Sequence, residues 1–369
     1  MLKSFFVQNF KQFKCLEMDF SDVRDYNFRK ECLTKHQNPL IKTAIVYGAN
    51  ASGKSNLGFA IFDVVQHLVD KVTQPDSYDF YLNADHPDIP ARFCYTFRFD
   101  GKDVIYTYEK TDRLTLVSES LYVGDSLIFK WDKVSDTIVF GKNGQKEFKN
   151  LNLSYKDKVI SVLRYIANNS ALSERNPIRR VMTFVEKMLW FRRVDKNNNF
   201  MGFHASSTSI DEFIIKNNLV EDFSIFLKSK QINEELVVES SPTGKMGLYF
   251  KHRQLVPFFE TASSGTIALT VYFYWKHFID QVSFLFMDEF DAFYHYEIAR
   301  SVLLEIKKAK CQTVMTTHNT GLLKHTLIRP DVCFIMKAGI LKSFPNMTKR
   351  ELCEGNNLEK LFVGGEFDE

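Results

Sequence analysis

The 369-residue chain has no large excess of charge of either sign. Its 48 Lys and Arg side chains nearly balance its 45 Asp and Glu side chains, for a net charge of +3. So small a net charge gives no strong attraction to nucleic acid or to a membrane surface. The six cysteines are scattered and form no C-x-x-C pair. This pattern argues against a disulfide framework or a zinc site and favours reduced thiols in a cytoplasmic protein.

Long apolar runs are also missing. No run approaches the roughly 20 residues needed to span a bilayer, so no membrane contact is expected. The opening Met-Leu-Lys-Ser-Phe lacks the apolar core and the cleavage site of a signal peptide, which again favours the cytoplasm. What the chain has in quantity is Phe, with 35 residues, in a composition that is 45% hydrophobic. That is ample for a large core, and the length suits two lobes or one domain with an insertion.

The clearest motif is a glycine loop at 48–55, Gly-Ala-Asn-Ala-Ser-Gly-Lys-Ser, which matches the phosphate-binding pattern G-x-x-x-x-G-K-[ST]. The apolar run 44–47 before it predicts a strand, and 56–62 after it predicts a helix. Such a loop points backbone N–H groups at phosphate oxygens, with Lys54 reaching the β/γ-phosphates and Ser55 ligating Mg²⁺. The predicted nucleotide-binding residues here are Gly48, Asn50, Ala51, Ser52, Gly53, Lys54, Ser55 and Asn56.

Two further predicted strands end in chemically active residues. The apolar run 283–289 ends in Asp288, which we assign to Mg²⁺, and in Glu289, which we assign as the base that polarises water. His318 directly follows the strand predicted over 312–317. In an α/β fold these strand ends meet at the edge where ligands bind, so a neutral His318 is placed to bond a γ-phosphate or the attacking water.

A possible second anion site precedes the apolar helical run 267–278. Ser263, Ser264 and Gly265 place hydroxyls and a glycine at the start of this helix. Local chemistry alone favours an ordinary helix N-cap over an anion site.

The order of these patterns predicts an α/β fold in three regions. Residues 1–150 form an N-terminal ATPase lobe that carries the P-loop and antiparallel strands. Residues 151–235 form a helical insertion, and 236–369 form a C-terminal ATPase lobe with the Asp-Glu strand and His318. Apolar residues at helical spacing predict the helices of the insertion, at 155–171, 177–191 and about 210–228.

The order of motifs resembles that of ABC-type P-loop ATPase heads of the SMC/RecF/OLD branch, and within it the AAA-family ATPases of bacterial anti-phage defence loci. The segments that carry this resemblance are 2–13, 50–56, 288–295 and 357–365. It implies an ATP hydrolase that depends on Mg²⁺ and has a slow, regulatory turnover, in which Lys54, Glu289 and His318 (the switch histidine) serve catalysis. It also implies that Ser263, Ser264 and Gly265 form the signature motif.

In that family the signature motif contacts the γ-phosphate bound to the other protomer, so the resemblance implies a head-to-tail homodimer around two ATP molecules. A higher oligomer stays open. The signature here reads Ala-Ser-Ser-Gly-Thr and departs from the fuller Leu-Ser-Gly-Gly-Gln. Gln74 is a candidate for the Q-loop glutamine. Lys11 is expected either near the nucleotide or in solvent.

The resemblance implies a sensor and scaffold that controls a separately encoded effector, a nuclease or a toxin. The roughly 50 residues after His318 are too few for an appended nuclease domain. One alternative is a RecF-like repair ATPase that binds DNA, favoured by Arg179-Arg180 and Arg192-Arg193, although such pairs usually form a solvated helix face. The other is an interaction module that holds ATP without hydrolysing it.

Overall fold

The computed structural model describes residues 1–69, 78–148, 151, 161–194, 197–203, 209–240, 244–324 and 327–368. Gln74 and the first part of the helix predicted over 155–171 lie outside these residues. The strands are β1 (Leu2–Phe10), β2 (Phe13–Asp19), β3 (Thr43–Tyr47), β4 (Ala91–Phe99), β5 (Lys102–Lys110), β6 (Leu116–Val123), β7 (Ser126–Asp132), β8 (Ile138–Phe140), β9 (Met188–Val194), β10 (Asn197–Gly202), β11 (Leu236–Ser240), β12 (Met246–Lys251), β13 (Leu255–Pro257), β14 (Phe284–Asp288), β15 (Gln312–Thr317), β16 (Cys333–Lys337) and β17 (Ile340–Ser343). The helices are α1 (Lys54–Leu68), α2 (Lys142–Glu147), α3 (Val162–Asn169), α4 (Pro177–Glu186), α5 (Ile210–Lys216), α6 (Val220–Ser229), α7 (Phe258–Thr261), α8 (Ser264–Lys276), α9 (Tyr296–Ile306) and α10 (Leu358–Val363).

The central sheet has the order β10-β9-β14-β15-β3-β16-β17, and its strands from β9 to β16 are parallel. Strands β3, β14 and β15 are buried along their whole length, which explains the mainly apolar sequences of β3 and β14. Because these strands are parallel, their last residues, Tyr47, Asp288 and Thr317, all lie at one edge of the sheet. The predicted α/β class is confirmed.

A second sheet, with the order β2-β1-β4-β5-β6-β7-β8, is antiparallel throughout. Burial alternates along β4 and β5, as expected when only one face packs on a core. The antiparallel strands predicted for the N-terminal region are therefore confirmed. A small third sheet, β11-β12-β13, lies later in the chain.

Buried polar contacts join α1 to the antiparallel sheet. Asp63 of α1 accepts hydrogen bonds from the hydroxyls of Tyr81 and Tyr108, each at 2.9 Å, and from Lys110 Nζ at 2.8 Å. The side chains of Asp63 and Lys110 are both 0% exposed. A buried pair of this kind is tolerated only when further hydrogen bonds satisfy it, as the two tyrosines do here. The helix that starts at the P-loop is thus anchored to the N-terminal sheet.

The prediction that the region 151–235 is helical is wrong for 188–202, where the structure has strands β9 and β10. Helix α4 ends at Glu186, and the buried run Met188–Phe191 continues as β9, which pairs in parallel with β14. The apolar spacing of this short run fits a helix and a buried strand alike, so its pairing with β14 decides the outcome. The helix predicted over 210–228 also divides, because Asn218 takes a left-handed φ of 55° between α5 and α6. The boundaries at 150 and 235 stay predictions.

In the described part of the chain, no helix is long and apolar enough to cross a bilayer.

Helix α3 is held at its start by a buried cap, which allows a stability prediction. Ser161 Oγ accepts a hydrogen bond from Arg164 N at 3.1 Å and donates to Glu119 Oε1 at 2.7 Å. We expect Ser161→Ala to lower the free energy of unfolding by about 1–2 kcal/mol through loss of this cap, measured by urea-induced unfolding. Ser170→Ala, at the other end of the same helix, is the control. Equal losses in both variants would contradict the capping role.

Candidate nucleotide-binding and hydrolysis site

The P-loop connects β3 to α1, and its backbone requires glycine at two places. Gly53 has a left-handed φ of 112°, and a Cβ there would lie 2.4 Å from the side-chain nitrogen of Gln12. A Cβ on Gly48 would lie 2.6 Å from the carbonyl oxygen of Met336. The loop therefore follows a path that side chains at these positions would block, and the predicted strand–loop–helix context is confirmed.

Lys54, the first residue of α1, folds back over the loop. Its Nζ donates hydrogen bonds of 2.9 Å to the carbonyl oxygens of Gly48 and Ala49. Burial lowers the pKa of the Lys54 ammonium, while the carboxylates of Glu289 and Asp288 act in the opposite direction. Phosphate oxygens in the loop would compete with the two carbonyls for the same ammonium protons.

Gln12, in the β1–β2 turn, forms hydrogen bonds with the P-loop and with the start of α1. This role of Gln12 was not predicted from the sequence. Its Nε2 donates to the carbonyl of Ser52, and its Oε1 accepts from Asn56 Nδ2, each at 2.8 Å. Asn56, a predicted nucleotide contact, is thus engaged with Gln12 instead of pointing freely into the loop. Lys11 donates to the carbonyl of Asp79 at 2.7 Å in an exposed hydrogen bond, and its nearness to a nucleotide stays a prediction.

Thr316 of β15 organises the acidic pair at the end of β14. Its hydroxyl donates to Asp288 Oδ1 and accepts from the backbone N–H of Glu289, each at 2.7 Å. Glu289 has a φ of 48°, a left-handed conformation that is uncommon for a residue with a side chain and is often found at functional sites. The sequence predicted the two acids but not the threonine on the neighbouring strand.

The metal-binding residues predicted from the sequence fit a magnesium ion. Asp288 Oδ2 is buried, and among the residues that the structure describes no hydrogen bond to it is found. Burial raises the pKa of this carboxyl, against the opposing effect of the Ser55 and Thr316 hydroxyls. Asp288 Oδ2 and Ser55 Oγ both lie within 3.6 Å of one nitrogen of Arg192 and therefore face a common space. A carboxylate and a hydroxyl oxygen are hard ligands of the type Mg²⁺ prefers, with phosphate oxygens and water completing its shell.

Arg192 of β9 lies inside this site. Its Nη1 is 3.3 Å from Ser55 Oγ and 3.6 Å from Asp288 Oδ2, and its Nη2 donates to Glu289 Oε2 at 2.7 Å. The expectation that Arg192 belongs to a solvated helix face is therefore wrong. The signal that could have found it is the apolar run 188–191 ending in a charged residue, the same pattern that marks β14.

His318 follows β15 directly, as predicted, and is exposed. It lines a cavity of about 650 Å³ beside the P-loop residues 48–52 and the 335–338 segment. Partial desolvation of the ring and the nearby Lys54 ammonium lower the pKa of the imidazole, against the opposing effect of neighbouring carboxylates, which favours its neutral form near pH 7. A neutral imidazole can either accept or donate a hydrogen bond to a ligand in this cavity.

The predicted signature residues cap helix α8. Ser263 Oγ accepts a hydrogen bond from Thr266 N at 3.1 Å, so the expectation of an N-cap is confirmed. Ser263 and Ser264 are exposed, and a Cβ on Gly265 would lie 2.9 Å from the carbonyl oxygen of Phe293. Among the residues that the structure describes, no hydrogen bond or ion pair joins 263–265 to the P-loop of the same chain. Their part in binding ATP stays a prediction.

One protein-family model matches this chain. The model of the family described as "AAA domain, putative AbiEii toxin, Type IV TA system" matches residues 44–324. Among solved structures, the chain is similar to the SMC head domain from Thermotoga maritima, with 16% identity, a TM-score of 0.44, and coverage of 93% of this chain and 97% of that one. It is also similar to the recombination mediator RecF bound to ATP, with 12% identity, a TM-score of 0.37 and coverage of 93% and 99%. No curated protein sequence matches.

Proposed function

Since the chain belongs to the AAA-domain family whose description is putative AbiEii toxin, type IV toxin–antitoxin system, we propose that it is a Mg²⁺-dependent ATP hydrolase with slow turnover. One observation carries this proposal. The guanidinium of Arg192 contacts Ser55, Asp288 and Glu289 at once, so the P-loop hydroxyl and the acidic pair lie within reach of a single small group. That is the placement phosphoryl transfer to water needs.

Each residue has a distinct task in this mechanism. Lys54 binds the β- and γ-phosphates, and Ser55 with Asp288 would hold Mg²⁺, which neutralises charge on the phosphate oxygens. Glu289 accepts a proton from, or polarises, the attacking water. His318 lies beside the P-loop cavity, where its neutral ring can orient the γ-phosphate or that water. Positioning and charge stabilisation account for most of the rate enhancement in this class of reaction.

The test is phosphate release from ATP by the purified full chain, with and without Mg²⁺. We expect turnover that needs both ATP and Mg²⁺. ATP binding without any turnover would support the alternative of an interaction module that holds ATP without hydrolysing it. Absence of both binding and turnover would contradict the proposal.

We further propose that ATP closes a head-to-tail homodimer, in which the start of α8 from one protomer completes the site of the other. Supporting this, Ser263 and Ser264 are exposed, as is the P-loop tip at 49–51. Nucleotide then favours the closed dimer because it binds that state more tightly than the open one. Hydrolysis reopens the dimer.

The dimer proposal predicts the effect of a bulky residue at the start of α8. We expect Ser264→Arg to reduce the ATP-dependent dimer at least about fivefold while ATP still binds, because the side chain would obstruct the partner's P-loop. Light scattering coupled to size exclusion gives the dimer fraction. Ser126→Arg, at an exposed serine of β7, is the matched control. A dimer unaffected by Ser264→Arg would rule out this interface.

The physiological role we propose is that of a cytoplasmic sensor and scaffold controlling a separately encoded effector in anti-phage defence. The family description names a type IV toxin–antitoxin system, which supports a system of two proteins, although it applies the word toxin to the matching domain itself. Co-expression with the neighbouring reading frame, in wild-type form and with Glu289→Gln, tests whether the ATPase state changes the effector's toxicity. Unchanged toxicity would contradict the role.

Direct DNA binding of the RecF kind is the second candidate. The arginine pairs that favoured DNA binding now support it less. The side chain of Arg192 contacts Glu289 of the proposed hydrolytic site, and that of Arg180 pairs with Asp100. A gel-shift assay over a range of salt concentrations separates the two functions, since DNA affinity from phosphate contacts falls steeply with salt.

A further inference from the structure

Arg192 places a positive charge where the magnesium ion of the proposed ATPase is expected. Its guanidinium carries one positive charge between two carboxylates, those of Asp288 and Glu289. The same nitrogen that approaches Asp288 also lies 3.3 Å from the hydroxyl of Ser55. The group therefore contacts both residues assigned to the metal and the residue assigned as base.

The position of Arg192 is set by the sheet. Its backbone is paired in register with Asp288 on the adjacent parallel strand, and the preceding Trp190 and Phe191 are buried. The side chain itself is 27% exposed, so it has room to move. The strand fixes the backbone of Arg192, and the guanidinium lies close to the inner Ser55 and Asp288 and to the more exposed Glu289 at the same time.

A guanidinium and a divalent cation exclude one another from this space. Mg²⁺ binds oxygen ligands at about 2.1 Å, and an arginine nitrogen 3.3 Å from Ser55 Oγ and 3.6 Å from Asp288 Oδ2 would strongly repel an ion bound to these two oxygens. ATP changes the balance because its phosphates bring several negative charges that attract both cations. Metal without nucleotide has to displace Arg192 with no such compensation.

We propose that Arg192 is a positioning residue that occupies the cation site in the nucleotide-free state and makes Mg²⁺ binding depend on ATP. The inference rests on the proposed function and adds an order of events to it. When metal enters with ATP, Arg192 releases Ser55 and Asp288 while keeping its contact with Glu289. In the nucleotide-free state the same side chain balances the charge of the two acids and holds β9, β14 and α1 together.

The test uses Mn²⁺ as a probe that electron paramagnetic resonance detects directly. In the absence of nucleotide, we expect Arg192→Gln to bind Mn²⁺ about tenfold or more tightly than the wild type. With a non-hydrolysable ATP analogue the difference should shrink to about threefold or less. Arg180→Gln is the matched control, because Arg180 also pairs with a carboxylate and its side chain is 28% exposed.

A second measurement distinguishes the loss of the Arg192 charge from a simple folding defect. In EDTA, Arg192→Gln leaves Asp288 and Glu289 without their cation, so its melting temperature should fall below that of the wild type, and Mn²⁺ should restore it. Arg192→Lys keeps the charge and should bind Mn²⁺ about as weakly as the wild type. Equal or weaker Mn²⁺ binding by Arg192→Gln would overturn the inference. Failure of the wild type to bind the ATP analogue would instead overturn the proposed function.

Discussion

Lys54→Ala is expected to weaken ATP binding by about 100-fold, because hydrogen bonds from a charged donor contribute roughly 1.5–3 kcal/mol and the ammonium also neutralises phosphate charge. In the structure Lys54 Nζ lies 2.9 Å from the carbonyl oxygens of Gly48 and Ala49. Phosphate oxygens can replace these carbonyls as hydrogen-bond acceptors, so the ammonium is available to bind phosphate. Titration with a fluorescent ATP analogue measures the loss.

A matched control separates the role of Lys54 from a general effect of removing a lysine. Lys142 is likewise the first residue of a helix, α2, and is exposed. We expect Lys142→Ala to bind ATP as the wild type does. A melting curve for Lys54→Ala checks that the loop still folds without its two carbonyl contacts. Wild-type ATP affinity in a folded Lys54→Ala variant would show that the P-loop does not hold the phosphates.

Glu289→Gln is expected to lower the rate of ATP hydrolysis by about 100- to 1,000-fold while leaving ATP affinity nearly unchanged. The amide has almost the shape of the carboxylate, and its oxygen can still accept the hydrogen bond that Arg192 donates to Glu289 at 2.7 Å. What it loses is the ability to take a proton from water. Single-turnover phosphate release measures the chemical step apart from product release.

The same variant tests the dimer, because ATP that is not hydrolysed should trap the closed state. Light scattering with ATP and Mg²⁺ should show dimers for Glu289→Gln and mostly monomers for the wild type after turnover. Glu297→Gln, at an exposed acid in the first turn of α9, is the control for both measurements. Hydrolysis at the wild-type rate would show that Glu289 is not the base. Slow hydrolysis without dimers would contradict ATP-driven dimerisation.

Much of the candidate site could be predicted because its parts are local in sequence. The loop at 48–55 carries its own conformational requirements, and the structure confirms the strand before it and the helix after it. Asp288 ends an apolar run of strand length, His318 directly follows the short strand predicted over 312–317, and parallel strands end at a shared edge. Their common location therefore followed from the α/β pattern before any side chain was placed.

The residues that the prediction missed act across long distances in the sequence. Arg192 lies 137 positions from Ser55, and Gln12 lies 40 positions from Ser52. Thr316 reaches Asp288 only because β15 pairs beside β14. No short-range pattern contains such contacts.

By itself, the sequence determined that this chain has a P-loop, an acidic strand end and a histidine at a third strand end, since each needs only local backbone geometry and a few neighbouring side chains. The tertiary structure alone decided that 188–194 is a strand of the central sheet and not part of a helix, because pairing with β14 outweighs the spacing of a short apolar run. This strand pairing places Arg192 in the candidate site, where its guanidinium lies close to the carboxylates of Asp288 and Glu289.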